Sequence, residues 1–276
     1  MSKSESRQAQ NNFSSLDHSS FLQIQLTACY TIAYKESVRI LRIWKMTVMP
    51  PIVTVYLFCI VFGQIIGNKI GTISGVSYMQ FIVPGLIMNI VINESFNNNA
   101  STIMIDKYNR SIESLITAPV SEMTILLGYF IGCIVRVILA GSVSSILVFW
   151  LADIAVQHWF IFIYTILVTS ALFSFLGFIN GLYATRFDEI PTIPTFILTP
   201  LSFFGGIFYD ISNLPEPWRS ISWYNPIVYI VDTFRYSIIG VSVHNITESL
   251  LVVTAITVLL FSLSLMLLKK GYGLRK

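Results

Sequence analysis

The sequence predicts an all-α membrane protein: six transmembrane helices, an N-terminal interfacial helix and an external re-entrant helical hairpin. Three observations carry this reading. Six apolar stretches are each long enough to cross a bilayer, and Lys and Arg gather on one side of the membrane they imply. Charged residues make up only 11% of the chain while hydrophobic ones make up 54%, against about a quarter charged in a soluble domain.

In chain order, residues 1–20 are polar and lack the apolar core of a signal peptide, so they read as a disordered cytoplasmic tail. Between Phe21 and Lys45 the spacing puts Lys35, Arg39 and Arg42 on one helical face, with Tyr34, Ile40, Leu41 and Trp44 off it. That pattern predicts a helix in the cytoplasmic interface with its basic side toward anionic lipid headgroups, or alternatively an extension of the first span. Thr47–Ile66, without a charged residue, is the first span, with Pro50 and Pro51 in its first turns, where proline costs least. The remaining spans read as Phe81–Met104, Thr124–Trp150, Trp159–Tyr183, Ile190–Tyr209 and Leu250–Leu268. Lipid cannot satisfy backbone polar groups, and these runs are too continuous for an alternating barrel pattern, so all are helical.

Of the 17 Lys and Arg residues, those before span one, after spans two and four, and after span six fall on one side. Lys69, Arg219 and Arg235 fall on the other, and Arg136 lies inside span three. The positive-inside rule then makes both termini cytoplasmic. A net charge of +3 gives no case for nucleic acid. Cys29, Cys59 and Cys133 have no paired spacing, and His18, His158 and His244 are scattered, so neither a disulfide framework nor a zinc site is indicated. There is no HExxH, GxSxG or GxxxxGK[ST]. ATP-driven transport would need its ATPase on another chain.

Two stretches outside the spans are informative. In the cytoplasmic segment Ile105–Met123, Ile112, Leu115 and Ile116 share a face at i, i+3, i+4 spacing, and Pro119 ends any helix. Such a face docks on a soluble partner or packs on its own bundle. In the external stretch Asp210–Ser249, the segment Ile227–Val241 is apolar enough to enter the bilayer but too short and too charged to cross it. Asp232 and Arg235 stand at i, i+3, where they can pair.

Within the spans, Glu94 and Arg136 lie at matched depth near the bilayer centre and can pair, with Asn93, Asn97, Asn98 and Asn99 as an amide belt. Each charge costs about 2.5–3.5 kcal/mol there. They either line a substrate path or form a structural ion pair. The pairs Gly63/Gly67, Gly128/Gly132 and Gly177/Gly181 have the small-xxx-small spacing of close helix contacts, within a subunit or between subunits. Pro191, Pro194 and Pro200 with Gly205 and Gly206 mark span five as bent or interrupted.

FIVPGLIMNIVI (Phe81–Ile92), IESLITAPV (Ile112–Val120), PTFILTPLSFFGGIFY (Pro194–Tyr209) and NPIVYIVDTFRY (Asn225–Tyr236) resemble the ABC-2 type permeases, in particular a YadH-like group of bacterial inner-membrane permeases. The resemblance runs from about Lys35 to the C-terminus. It implies a homodimer of six-span subunits in the bacterial inner membrane, in contact with lipid and served by two copies of a separate ABC ATPase. It implies no directly bound cofactor, ATP and Mg being used by that partner. The family's interfacial helix matches the segment holding Lys35, Arg39 and Arg42. Its ATPase-coupling helix matches Ile112, Glu113, Leu115, Ile116, Pro119 and Val120, and its external re-entrant helices match the region of Asn225, Pro226, Tyr229, Asp232 and Arg235. Ser114 departs from the pattern, in which a second acidic residue often follows Glu113. The resemblance implies a non-enzymatic export permease for an amphiphilic, lipid-like, drug-like or glycolipid substrate. The rival readings are a channel or proton-coupled carrier using Glu94, and a membrane-embedded enzyme.

Overall fold

The computed structural model describes residues 18–73 and 75–271. All but the last three residues of the expected tail lie outside the described residues.

Helix α1 (His18–Arg42) is followed after Ile43 by α2 (Trp44–Phe58), which runs on as a π-helix, Cys59–Ile66, and a last turn, Gly67–Ile70. A minimal antiparallel hairpin, β1 (Thr72–Ile73) and β2 (Val76–Ser77), leads into α3 (Tyr78–Tyr108). Then come α4 (Ser111–Thr117), α5 (Glu122–Ala152), α6 (Trp159–Tyr183), α7 (Thr199–Phe203), α8 (Trp218–Ser222), α9 (Pro226–Ile239) and α10 (Ile246–Lys269). Helix starts follow their capping chemistry. Ser77 and Gln80 form a capping box on α3, and the side chains of Ser121, Asn225 and Asn245 accept from the first turns of α5, α9 and α10.

Among the described residues, five helical segments are long and apolar enough to cross a membrane: Trp44–Gly63, Tyr78–Tyr108, Glu122–Ala152, Trp159–Tyr183 and Ile246–Lys269. The expected fifth span, Ile190–Tyr209, is not a continuous helix of that kind. It is helical only from 192 to 203, about 18 Å, and widens into a π-turn at Pro194–Leu198. Pro191, Pro194 and Pro200 each remove a backbone donor, and the chain then turns at Phe204–Gly206, where Gly206 takes a φ of +70°. Pro50 and Pro51 are also placed differently from the expectation. The helix begins at Trp44, so both lie inside α2 rather than in its first turn.

The core is built around α3, which packs on α5, α6 and α9. Between Phe81 and Met104 only Asn89, Asn93, Glu94, Asn97 and Ser101 are not buried. Close helix approach depends on glycine at two places. A Cβ on Gly177 would fall 2.2 Å from the Phe96 carbonyl oxygen of α3, and one on Gly132 would fall 2.5 Å from Cβ of Glu36 on α1. Gly177/Gly181 and Gly128/Gly132 thus serve packing within the chain.

Helix α9, 14 residues long and about 21 Å, is wedged among α3, α6 and α10, with ten of its residues buried. Its start is tied to α7, because Asn225 Nδ2 donates to the Leu201 carbonyl at 2.6 Å. Its end meets the α5–α6 connection, where the amides of Gln157 and His158 donate to the Ser237 carbonyl.

Candidate functional site

The polar chemistry of the chain gathers in three places: the junction of α1 with the connection 109–123, the centre of α3, and α9. At the first, the sequence correctly groups Lys35 and Arg39 on one face of α1, but that face is turned inward rather than toward headgroups. Lys35 Nζ lies 2.6 Å from Asp106 Oδ1 of α3. Arg39 pairs with Glu36 at 2.7 Å and also donates to Asn98 and Thr102 of α3. Glu36 is fully buried. Lys35 is still partly exposed, and Arg42 is exposed and makes no bond to the bundle among the described residues. The outer face of α1 is instead apolar, with Leu22, Leu26, Tyr30 and Tyr34 exposed at four-residue spacing. The reason is that Glu36 and Asp106 need cationic partners once buried, and the bases of α1 supply them. The sequence reading passed over both acids; an acid between two bases on α1, and another at the foot of span two, were the available signals.

Helix α1 also runs beside α5 in the same direction. Gln25 bonds Ser121 and Thr124, Ile32 meets Gly128, and Glu36 meets Gly132, an equal advance on both helices.

The connection 109–123 contains the expected short helix, α4, but the expected docking face is turned into the bundle. Ile112 is buried, and Leu115 and Val120 are half-buried against the cluster of Ile32, Ile125 and Leu126. The side chains of Glu113 and Ile116 lie outside the described residues. Among the described residues, the connection 109–123 exposes Asn109, Arg110, Ser114, Thr117, Pro119 and Met123. A groove of about 600 Å³ separates α4 from α1, lined by Ile24, Thr27, Ala28 and Thr31 on one side and Leu115 and Ala118 on the other. Lys107, at the foot of α3, donates to the carbonyls of Gly181, Leu182 and Ala184 and so caps the end of α6.

At the centre of α3, Glu94 and Arg136 meet. Arg136 Nε donates to Glu94 Oε2 at 2.6 Å, with the side chains 14% and 12% exposed. Both sit near the midpoints of helices 31 residues long. Asn93 bonds back to Asn89, while Asn99 turns inward onto Ser174. Asn89, Asn93, Asn97 and Ser101 recur every fourth residue and form a polar stripe on the one uncovered side of α3.

On α9, Asp232 and Arg235 do not pair with each other. Asp232 accepts from the amides of Val243 and His244 and from Nδ1 of His244. Arg235 donates to the carbonyls of Phe81 at 3.2 Å and Gly206 at 2.6 Å, with its guanidinium 3.9 Å from the Phe81 ring centre. Each finds open backbone groups on a different element, which sequence spacing alone does not show. Pro226 opens the helix, and Tyr229 donates to the Trp223 carbonyl.

Long apolar helices around a buried central one, with charges satisfied at mid-length and a half-length helix wedged between them, define a polytopic helical membrane protein. The chain belongs to the ABC-2 type transporter family, whose model matches residues 27–239. It is 38% identical to the inner membrane transport permease YadH of Escherichia coli K12, over 92% of this chain and 99% of that protein. It is 24% identical to nodulation protein J of Rhizobium leguminosarum bv. viciae, over 78% of this chain and 83% of that one.

Proposed function

We propose that the chain is the permease subunit of an ATP-driven exporter in the bacterial inner membrane, without catalytic chemistry of its own. It works as a homodimer with two copies of a separate ABC ATPase, which binds ATP and Mg. Family membership and the likeness to an inner membrane transport permease over nearly the whole chain support this reading. The observation that carries the pathway is the polar stripe Asn89, Asn93, Asn97 and Ser101. Amides at membrane depth are poorly placed against hydrocarbon, so the stripe faces a second subunit or a water-filled path between the two. Both termini and the connection 109–123 are cytoplasmic, the segment 190–209 as a whole, with its helix 192–203, makes the remaining crossing, and the region 210–249, with α9, forms the re-entrant external cap.

The ATPase contact falls on Arg110, Ser114, Thr117 and Pro119, since Ile112 is committed to the bundle. The cargo is an amphiphile whose polar head meets the amide stripe. A proton-coupled carrier would need a free carboxylate in the path, and Glu94 is engaged by Arg136.

The test is purification of the tagged chain from its native membranes. An ABC ATPase should co-purify in equal amount and hydrolyse ATP, and Ser114→Arg together with Thr117→Arg should release it while the permease still elutes as a folded dimer. Failure of any ATPase to co-purify would overturn the reading.

A further inference from the structure

Helix α1 holds the connection 109–123 at both ends. At its entry, one buried carboxylate gathers three elements: Asp106 accepts from Lys35 of α1 at 2.6 Å, Ser111 of α4 at 2.8 Å and Tyr129 of α5 at 2.7 Å. At its exit, the Gln25 side chain of α1 spans the turn between α4 and α5. Its Nε2 donates to the Pro119 carbonyl at 3.1 Å, and its Oε1 accepts from the Ser121 amide at 2.9 Å and the Thr124 hydroxyl at 2.7 Å. Between these pins Ile112 and Leu115 pack on the bundle while an open groove separates the rest of α4 from α1, so the connection is tied down at its ends and along its inner face. Helix α1 is in turn fixed to the core by Glu36 against Gly132 and by Arg39 bonded to Asn98 and Thr102. Hydrogen bonds to an ionised group are shorter and roughly twice as strong as neutral ones, which makes the Asp106 pin the stiffer of the two.

We propose that Gln25 and Asp106 are positioning residues for coupling. Movement of the connection 109–123, driven by the bound ATPase, passes through them into α1 and from α1 into α3 and α5. Helix α1 is therefore a transmission element rather than a passive float at the membrane surface. This rests on the ATP-driven reading above.

The experiment uses the complex of the full chain with its co-purified ATPase, carrying Cys29→Ala, Cys59→Ala and Cys133→Ala and a reporter, Asn97→Cys, on the polar stripe. The rate at which a water-soluble maleimide modifies the reporter is measured without nucleotide and after trapping with ATP and vanadate. The reference complex should show a change of about fivefold, at the lower end of ordinary coupling between sites. Gln25→Ala combined with Asp106→Asn should keep the ATPase bound and hydrolysing while that change falls below about twofold. Gln25→Glu, which keeps the acceptor and loses the donor to Pro119, should fall between. A double variant that hydrolyses ATP and keeps the full reporter change overturns the clamp and leaves the pump reading intact. Loss of bound ATPase in step with the reporter change also overturns it, because the pins would then serve only to hold the fold. A reference complex that hydrolyses ATP with no reporter change refutes the pump reading and the clamp with it.

Discussion

The Glu94–Arg136 pair is best tested by a double-mutant cycle. The contact is a single charge-assisted hydrogen bond of 2.6 Å between side chains 12% and 14% exposed. Glu94→Gln leaves a guanidinium without its anion at mid-membrane, and Arg136→Met leaves a carboxylate without its cation. An uncompensated charge there costs about 2.5–3.5 kcal/mol on insertion scales, and breaking a buried pair costs about 3–5 kcal/mol. Residual exposure and the nearby amides favour the low end, so each single change should destabilise by about 3 kcal/mol. The double change removes both charges together and should cost no more than either single one. That gives a coupling of at least about 3 kcal/mol, at the top of the usual range for residues in contact. The assay is unfolding of the purified subunit in mixed micelles titrated with dodecyl sulfate, followed by tryptophan fluorescence. Additive losses, about 6 kcal/mol in the double variant, would refute the contact.

Arg235→Met strands two buried carbonyls, those of Phe81 and Gly206, and removes the stacking on Phe81. It should lower stability by about 3 kcal/mol in the same titration, and an unchanged midpoint would contradict the assignment. Gly177→Leu forces a side chain onto the Phe96 carbonyl of α3 and should abolish recovery of monodisperse protein; normal yield would mean that α6 does not lie so close. For topology, a cysteine at Asp188 should react with an impermeant thiol reagent only from the cytoplasmic side and one at Asn213 only from outside, in a background lacking the native cysteines. Labelling of both from one side would refute the proposed arrangement.

Helix existence was legible because hydropathy and capping residues act locally. Trp159–Tyr183 has the limits read from the sequence, and the other four long helices run a few residues beyond the apolar runs, while Ile190–Tyr209 is broken. The interruption near Pro194 was legible for the same reason, although its consequence, a helix too short for the bilayer core, was not. Direction was harder to read. Lys35 and Arg39 share a face as their spacing demands, but whether that face meets headgroups or the bundle depends on Asp106, which is distant in sequence. Ile112 likewise presents an apolar face whose partner is set by Ile32 and Ile125, again from other elements. Asp232 and Arg235 stand at pairing distance in sequence, yet the carbonyls and amides left open by the turns at Gly206 and Val243 claim them first. Local patterns specify faces, and tertiary partners decide what those faces meet.

The burial of α3 constrains how this protein can vary. Nearly every residue between Phe81 and Met104 fills a contact with another element, so most substitutions there disturb packing before they alter anything else. Between Phe81 and Met104, Asn89, Asn93, Asn97 and Ser101 are, with Glu94, the positions left half-buried. On the proposed pathway, a library confined to the four codons of the polar stripe would search for altered cargo preference at less cost in packing than one spread over the rest of the helix, and natural drift in preference would pass through the same narrow door.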